Sequence, residues 1–430
     1  MANIQRPRGT RDFGPEEMEK RRYIEEVLRK TAATFGYREI ATPTFERAEL
    51  YTERSGESIR NEMYIFKDKG GRELSLRPEL TMPTMRFYAE ELRNLSKPIK
   101  VFYFGNCFRY ERPQSGRFRE FWQYGCEIIG GGEHESDADI IACAVSSLEN
   151  AGLKKFVVRI GHLGVIRGLL WEIGIEGEDQ SKCMQFIDKG ETEELFNILK
   201  AKSPSNLGID RIRDILDLEN SKTVYQSAKK IIAGNRKAVK AIESLEKILT
   251  ILEALGVENY VVDLGIARGL DYYTGMVFEV DVPTLGAEKQ VCGGGAYKLA
   301  ELFGAEPVNS TGYAIGFDRV ILALESQEVE IPQKKLAVYI IPLGEAAKAE
   351  VMKMATTLRN NGISCNAALM DRNISKHMKH ANTINAEHVI ILGDDEISEK
   401  KASVKNMGTG EQVKVDFDKL TDHFKNSNSD

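Results

Sequence analysis

The sequence lacks the features of a membrane or secreted protein. It has no apolar run of about 18 residues, which a membrane-spanning helix requires. Residues 1–17 are polar and contain no hydrophobic stretch of the kind found in a secretory signal. The cysteines show no CxxC pair and no regular spacing, as is usual for reduced thiols inside a cell. They are Cys107, Cys126, Cys143, Cys183, Cys292 and Cys365. We therefore expect a cytoplasmic protein with no membrane partner.

Metal-binding patterns are also missing. The six histidines form no HExxH and no Cys/His zinc spacing. His377 and His380 are three residues apart, but a solvated helix face explains that spacing better, since no Cys or third ligand is nearby. We therefore assign no metal ligand to any side chain. The formal net charge of −6 argues against general coating of nucleic acid, although it leaves room for a local basic patch.

The length of 430 residues predicts more than one domain. Residues 1–325 contain strand signals with hairpin turns, and a helical stretch at about 171–249 interrupts them. The polar, proline-containing segment 326–335 has the composition of a linker. Residues 336–430 alternate strand and helix signals, which indicates an α/β domain with some parallel sheet.

The most informative stretch is FRYERPQSGRFREFWQYGCE, residues 108–127. It joins two strand candidates, 99–108 and 121–129, through a charged loop with turn residues, so we expect an antiparallel hairpin. Its four arginines offer planar, permanently charged donors that suit phosphate. Taken alone, the stretch is also consistent with a surface hairpin held by weak ion pairs.

Three further segments carry polar groups next to strand signals. They are LRPELT (76–81), RGLDYYTG (268–275) and GYAIGFDRVIL (312–322). Each has a structural explanation: a turn with an ion pair, a tyrosine pair at the edge of a core, and a capped helix start. Together they supply cationic groups, an acidic pocket and glycines that permit close backbone approach.

These segments resemble the motifs of class II aminoacyl-tRNA synthetases, and specifically the histidyl-tRNA synthetase family. Residues 108–127 resemble motif 2, and GYAIGFDRV resembles motif 3. The helix candidate 16–35 with ATPTFE (41–46) resembles motif 1. LGIARGLDYYTG (264–275) and VCGGGAY (291–297) resemble the two histidine-specific segments of the family. The C-terminal stretch resembles the class IIa anticodon-binding domain more loosely.

The resemblance implies a fold, a reaction and partners. The fold would be an α+β catalytic domain with a mostly antiparallel sheet flanked by helices, a helical insertion, and a C-terminal α/β anticodon-binding domain. The activity would be activation of L-histidine with ATP and Mg²⁺ to histidyl-adenylate, followed by transfer to the 3′ end of tRNA(His). The resemblance also implies a homodimer that associates through motif 1. For the basic stretch 222–247, both RNA contact and a solvated helix face stay open.

Site residues follow from the same resemblance. Arg109 and Arg268 would flank the α-phosphate as the catalytic pair. ATP contacts would come from Arg109, Glu111, Arg117, Phe121 and Arg319. Histidine contacts would come from Glu79, Thr81, Gln123, Glu127, Arg268, Tyr272, Tyr273 and Tyr297. Glu127 and Tyr273 would satisfy the two imidazole nitrogens, one a donor and the other an acceptor.

Two positions depart from the family pattern. Asp318 stands where motif 3 usually has Glu, which puts magnesium placement or helix capping in question. Ala296 and Lys298 flank Tyr297 where Arg and Asp are usual, which makes the role of that tyrosine less certain.

Two other functions compete with the synthetase. A catalytically silent paralogue would sense histidine or tRNA, but such proteins tend to lose the catalytic arginines, which this sequence keeps. A class IIa enzyme for threonine, proline or glycine would not need the polar group Glu127 in its side-chain pocket.

Overall fold

The structure is a computed structural model, and it describes residues 4–52, 60–111, 116–203, 205–267 and 272–427. The chain separates into two compact units, Met1–Ile331 and Pro332–Asp430. In the described parts of both units, no helix is long and apolar enough to cross a membrane.

The first unit is built on an eight-stranded sheet in the order β1-β5-β6-β11-β10-β9-β7-β8, with a separate sheet in the order β2-β4-β3. Its strands are β1 (Arg38–Glu39), β2 (Phe45–Arg47), β3 (Ile65–Lys67), β4 (Glu73–Leu76), β5 (Ile99–Phe108), β6 (Glu120–Ile129), β7 (Val157–His162), β8 (Tyr260–Val262), β9 (Tyr273–Asp281), β10 (Gln290–Tyr297) and β11 (Ser310–Gly316). In the large sheet, β1 with β5 and β7 with β8 are parallel and the other neighbours are antiparallel. The expected mostly antiparallel sheet is confirmed.

Helices flank this sheet and fill the segment between β7 and β8. They are α1 (Pro15–Thr34), α2 (Thr81–Phe87), α3 (Glu133–Asn150), α4 (Gly164–Glu172), α5 (Gly177–Lys189), α6 (Thr192–Lys202), α7 (Asn206–Leu216), α8 (Val224–Ile231), α9 (Arg236–Ala254) and α10 (Phe317–Ser326). A π-helical turn spans Tyr88–Leu92, and 3₁₀ turns span Pro283–Glu288 and Ala300–Phe303. The first helix begins with Pro15 at its first position, where the missing N–H is not needed.

Period-two alternation along β6 directs its side chains alternately to the two faces of the sheet, one of which packs in the core. The hydroxyl of Tyr124 donates to the carbonyl of Leu28 on α1 at 2.9 Å, and Cys126 is fully buried. The pairing of β5 with β6 runs without a register shift from Ile99–Ile129 to Phe108–Glu120. Because the alternation is unbroken, Phe121, Gln123 and Glu127 project from the opposite face.

The second unit is a smaller α/β domain, as expected from its alternating pattern. Its strands are β12 (Leu336–Pro342), β13 (Cys365–Ala367), β14 (Ala386–Leu392), β15 (Lys401–Asn406) and β16 (Gln412–Asp416), in the sheet order β13-β12-β14-β15-β16. The first two pairings are parallel and the last two antiparallel. Its helices are α11 (Glu345–Asn360), α12 (Ile374–Thr383), α13 (Asp394–Glu399) and α14 (Leu420–Ser427), with a 3₁₀ turn at Phe417–Lys419.

Candidate active site

One cleft in the first unit brings most of the expected site residues together. It lies over β6, β10 and β11, beside the first turn of α10. Ten of the expected residues line it: Glu79, Thr81, Arg109, Glu111, Arg117, Phe121, Gln123, Tyr272, Tyr273 and Arg319. Glu127 and Tyr297 do not line it, and they belong to a hydrogen-bonded network that reaches Thr81. Arg268 lies outside the described residues.

A buried carboxylate forms the centre of that network. The hydroxyl of Tyr297 donates to Glu127 Oε2 at 2.6 Å, and the hydroxyl of Tyr103 donates to Oε1 at 3.0 Å. The hydroxyls of Tyr103 and Thr81 lie 3.4 Å apart. Burial raises the pKa of Glu127 to about 8, although the tyrosine hydrogen bonds act in the opposite direction. The departure at Ala296 and Lys298 therefore leaves Tyr297 engaged with Glu127.

Glycine next to this network is a steric requirement. A Cβ on Gly312 of β11 would overlap Glu127 Oε2, and a Cβ on Gly125 of β6 would approach the hydroxyl of Tyr103 to 2.6 Å. Any larger residue would therefore push these polar groups out of position. The glycines of the strands keep the space in which the Glu127 side chain lies.

Glu79 supplies a second carboxylate at the entrance to α2. The backbone N–H of Thr81 donates to Glu79 Oε2 at 2.6 Å, and the N–H of Met82 donates to Oε1 at 3.0 Å. Burial raises the pKa of Glu79, and these two backbone hydrogen bonds oppose the rise. A carboxylate held in this way is a fixed partner for an ammonium group.

Arg109, directly after β5, is fixed at one end of the cleft. Its Nε donates to the carbonyl of Pro78 at 3.0 Å, and Nη1 lies 3.9 Å from Glu111 Oε1. The guanidinium carbon is 5.3 Å from the centre of the Phe121 ring. The arrangement holds a cation and an aromatic face side by side, which suits an anionic ligand with a flat ring.

Arg319, at the start of α10, is a second fixed arginine of the cleft. Its Nη1 donates to the carbonyl of Gln290 at 2.8 Å, and Nε donates to the carbonyl of Gly116 at 3.3 Å. Burial lowers the pKa of Arg319, and the carboxylate of Glu288 opposes this change. Glu288 Oε2 lies 2.5 Å from Arg319 Nη2, and Glu288 Oε1 lies 2.9 Å from Arg117 Nε.

The unusual Asp318 has structural partners. Arg21 Nη1 donates to its Oδ1 at 2.7 Å, and the backbone N–H of Trp122 donates to Oδ2 at 3.0 Å. Arg11 Nη2 also lies 2.7 Å from Oδ1, as an ion pair without hydrogen-bond alignment. Asp318 therefore ties α1 and β6 to the start of α10, and both its oxygens are engaged.

No described residues form a cluster of three or more His, Cys, Asp or Glu side chains able to hold a metal ion. Magnesium that enters with a nucleotide needs only one or two carboxylates in addition to phosphate and water. The donor set of the cleft fits an ATP-like ligand: guanidinium groups for phosphate and an aromatic face for a base. The carboxylates of Glu111 and Glu288 lie near Arg117.

Sequence reasoning missed Tyr103, Glu288 and Arg21. The period-two pattern of β5 could have placed Tyr103 on a sheet face, but only the register with β6 puts its hydroxyl on Glu127. Glu288 ends a 3₁₀ turn with no periodic signal, and its contacts are with segments distant in sequence. No sequence signal indicated that Arg21, within an amphipathic helix, pairs with Asp318.

Comparison with known proteins identifies the family. The family model described as Histidyl-tRNA synthetase matches residues 9–320, and that described as Anticodon binding domain matches residues 337–427. The histidine–tRNA ligase of Archaeoglobus fulgidus is 46% identical over 418 residues, which cover 97% of this chain and 98% of that protein. The ligase of Methanocaldococcus jannaschii is 45% identical over 425 residues, with coverage of 97% and 99%.

A solved structure agrees with these relatives. Apo histidyl-tRNA synthetase of S. aureus matches with a TM-score of 0.75 at 31% identity, over 98% of this chain and 100% of that one. The fold and the site define a class II aminoacyl-tRNA synthetase. Within that class, the chain belongs to the histidyl-tRNA synthetase family. The resemblance found in the sequence is confirmed.

Proposed function

We propose that this chain activates L-histidine with ATP and transfers the histidyl group to the 3′ end of tRNA(His). The observation that carries the proposal is a buried polar network around Glu127, which reaches Thr81 in the lining of a cleft that contains three arginines. The curated histidine–tRNA ligases, which match over nearly the whole chain, support the same activity. The silent paralogue is disfavoured because Arg109 and Arg319 are retained.

In the first step, a carboxylate oxygen of histidine attacks the α-phosphorus of ATP. The bond between the α-phosphorus and the bridging oxygen breaks, and pyrophosphate leaves. Two anions must approach each other, so catalysis consists mainly of positioning and charge stabilisation. We assign this role to Arg109 and to Arg268 on the other side of the α-phosphate. Mg²⁺ bound with ATP would neutralise charge on the leaving pyrophosphate.

Histidine selectivity would come from the buried polar groups. Glu127 and Tyr273 would engage the imidazole, with Tyr272 and Tyr297 enclosing it. Glu79, Thr81 and Gln123 would receive the ammonium group. A pocket that hydrogen-bonds both imidazole nitrogens would bind analogues without them less tightly, since those hydrogen bonds would be lost.

ATP would lie between the two fixed arginines. We assign the adenine to the space between Phe121 and Arg319, with Glu111 as a hydrogen-bond acceptor for its amino group. Arg117 would contact the triphosphate, and the guanidinium of Arg319 would also reach the γ-phosphate. Both arginines are anchored by backbone carbonyls and line the same cleft, which supports this arrangement.

Binding of tRNA would involve both units. The second unit matches an anticodon-binding domain, which supports recognition of the anticodon arm there. In the helical segment, Trp171, Lys237, Lys240 and Arg167 line a groove, with Lys237 Nζ 3.6 Å from the Trp171 ring. Cationic and aromatic groups combined in this way suit RNA. We infer that the groove contacts tRNA. We also propose that the protein works in the cytoplasm, where tRNA is charged.

We propose a homodimer that associates through the small sheet of β2, β4 and β3. Phe45 and Phe66 remain 54% and 42% exposed there, with ring centroids 6.4 Å apart. Phe45 belongs to the segment that resembles motif 1, the dimer element of the family. Sedimentation should give a dimer for the natural chain and a monomer for Phe45→Glu with Phe66→Glu. A monomeric natural chain would contradict this proposal.

The direct test of function is aminoacylation. Purified protein, ATP, Mg²⁺ and radiolabelled histidine should give acid-precipitable histidyl-tRNA with tRNA(His) and none with another tRNA. Arg109→Ala, which should abolish labelling while it keeps the fold, is the matched negative control. Histidine binding without any labelling would favour the sensing paralogue instead.

A further inference from the structure

Glu288 is a carboxylate directly between two arginines of the cleft. It ends the 3₁₀ turn before β10, and its oxygens lie 2.9 Å from Arg117 Nε and 2.5 Å from Arg319 Nη2. Its side chain is only 15% exposed. Both arginines are proposed ATP contacts. The Glu288 carboxylate therefore pairs with the same guanidinium groups that the nucleotide would contact.

The local charge explains why a carboxylate belongs there. Arg109, Arg117 and Arg319 all line one cleft, and Arg319 is largely buried. Guanidinium groups brought together without an anion repel one another, at a cost that grows as water is excluded. Glu288 offsets this repulsion when no phosphate is present.

The structure also indicates what would happen without Glu288. Arg319 keeps two backbone acceptors, the carbonyls of Gln290 and Gly116. Arg117 keeps Glu111, whose carboxylate lies 3.8 Å from its Nε. The phosphate-binding groups would therefore stay in place, while the negative charge that opposes phosphate would be gone.

We propose that Glu288 is an internal counter-ion of the phosphate site, which pairs Arg117 and Arg319 in the nucleotide-free protein and is displaced by the triphosphate. It is a positioning residue that acts through the two arginines and makes no contact with the reacting atoms. Because a triphosphate has to displace Glu288, the natural chain binds polyphosphate less tightly than it would without this carboxylate. Recognition of the nucleoside is unaffected. The inference rests on the proposed binding of ATP in this cleft.

The test compares ligands with and without phosphate by titration calorimetry, using ATP, pyrophosphate and adenosine in turn. Glu288→Gln should bind ATP and pyrophosphate about five- to tenfold more tightly than the natural chain, as loss of two partly buried ion pairs implies. Its affinity for adenosine should not change. The gain should shrink as salt is added, because it is electrostatic.

Further variants separate charge from shape. Glu288→Asp keeps the charge and should bind pyrophosphate within about twofold of the natural chain. Glu301→Gln, an exposed glutamate on the next 3₁₀ turn, is the control and should change nothing. If Glu288→Gln does not fold, Glu288→Ala replaces it in the same comparison.

Unchanged or weaker pyrophosphate binding in Glu288→Gln would overturn the counter-ion role. An equal change for adenosine would also overturn it, because that would indicate a general disturbance of the cleft. If the natural chain binds neither ATP nor pyrophosphate, the proposed function itself fails.

Discussion

Replacing Glu127 with Gln should make the protein more stable at alkaline pH while it damages histidine binding. The Gln side chain keeps the size of Glu127 and can still hydrogen-bond to Tyr297 and Tyr103. What it removes is a charge that the folded protein cannot solvate. Since this carboxylate is buried, its ionisation should destabilise the folded state.

The magnitude follows from the pKa of Glu127. Folding raises that pKa from 4.5 to about 8, so the folded chain binds more protons than the unfolded chain between these values. The free energy of unfolding contributed by this group therefore falls as pH rises through that window. The stability difference between Glu127→Gln and the natural chain should grow by about 4 kcal/mol between about pH 5 and about pH 8.5.

Tryptophan fluorescence during denaturant unfolding is a suitable assay. The sequence has two tryptophans, Trp122 and Trp171, and both lie in the first unit. The signal therefore reports on the unit that contains Glu127. Midpoints and slopes measured at several pH values give the free energy of unfolding for each variant.

Glu301→Gln removes an exposed carboxylate and should leave the difference from the natural chain close to zero at every pH. If the advantage of Glu127→Gln did not change with pH, Glu127 would titrate as an ordinary carboxylate, and the argument from burial would be wrong.

Three further predictions concern the same unit. Glu127→Gln should raise KM for histidine about 10- to 100-fold with little change in KM for ATP, because the amide cannot ionise to accept a charged hydrogen bond from the imidazole. Equal changes in both constants in a pyrophosphate-exchange assay would contradict this. Arg109→Ala should lower the exchange rate about 100-fold or more without a shift in melting temperature, and activity within tenfold of the natural chain would exclude it from catalysis. Asp318→Asn should lower the free energy of unfolding by about 3–5 kcal/mol, because the buried Arg21 would keep a charge without its counter-ion. A loss below about 1 kcal/mol in the fluorescence assay would refute the role of Asp318 as that counter-ion.

Local sequence patterns were sufficient to predict the strands of the hairpin, but not which side chains contact each other across the sheet. Strand alternation and turn residues predicted the hairpin of β5 and β6, and it forms with an unbroken register. The sequence also placed Phe121, Gln123 and Glu127 on one strand face. It could not show that Tyr103 reaches Glu127, because cross-strand register depends on the whole sheet.

Distant contacts explain the remaining gaps. Asp318 looked like a small change at a magnesium or capping position, yet its partners come from α1 and β6. Glu288 carries no motif, and its role depends on Arg117 and Arg319, which the fold brings to it. The catalytic assignment of Arg268 stays a prediction from family resemblance, outside the described residues.

The measurement that tests the central claim most directly is ATP–pyrophosphate exchange with each standard amino acid supplied in turn. The account predicts exchange with histidine alone, since the polar groups around Glu127 are suited to hydrogen-bond an imidazole. Exchange with threonine, proline or glycine would show that the pocket is assigned to the wrong substrate. Absence of exchange with every amino acid, alongside measurable histidine binding, would contradict the proposed activity itself.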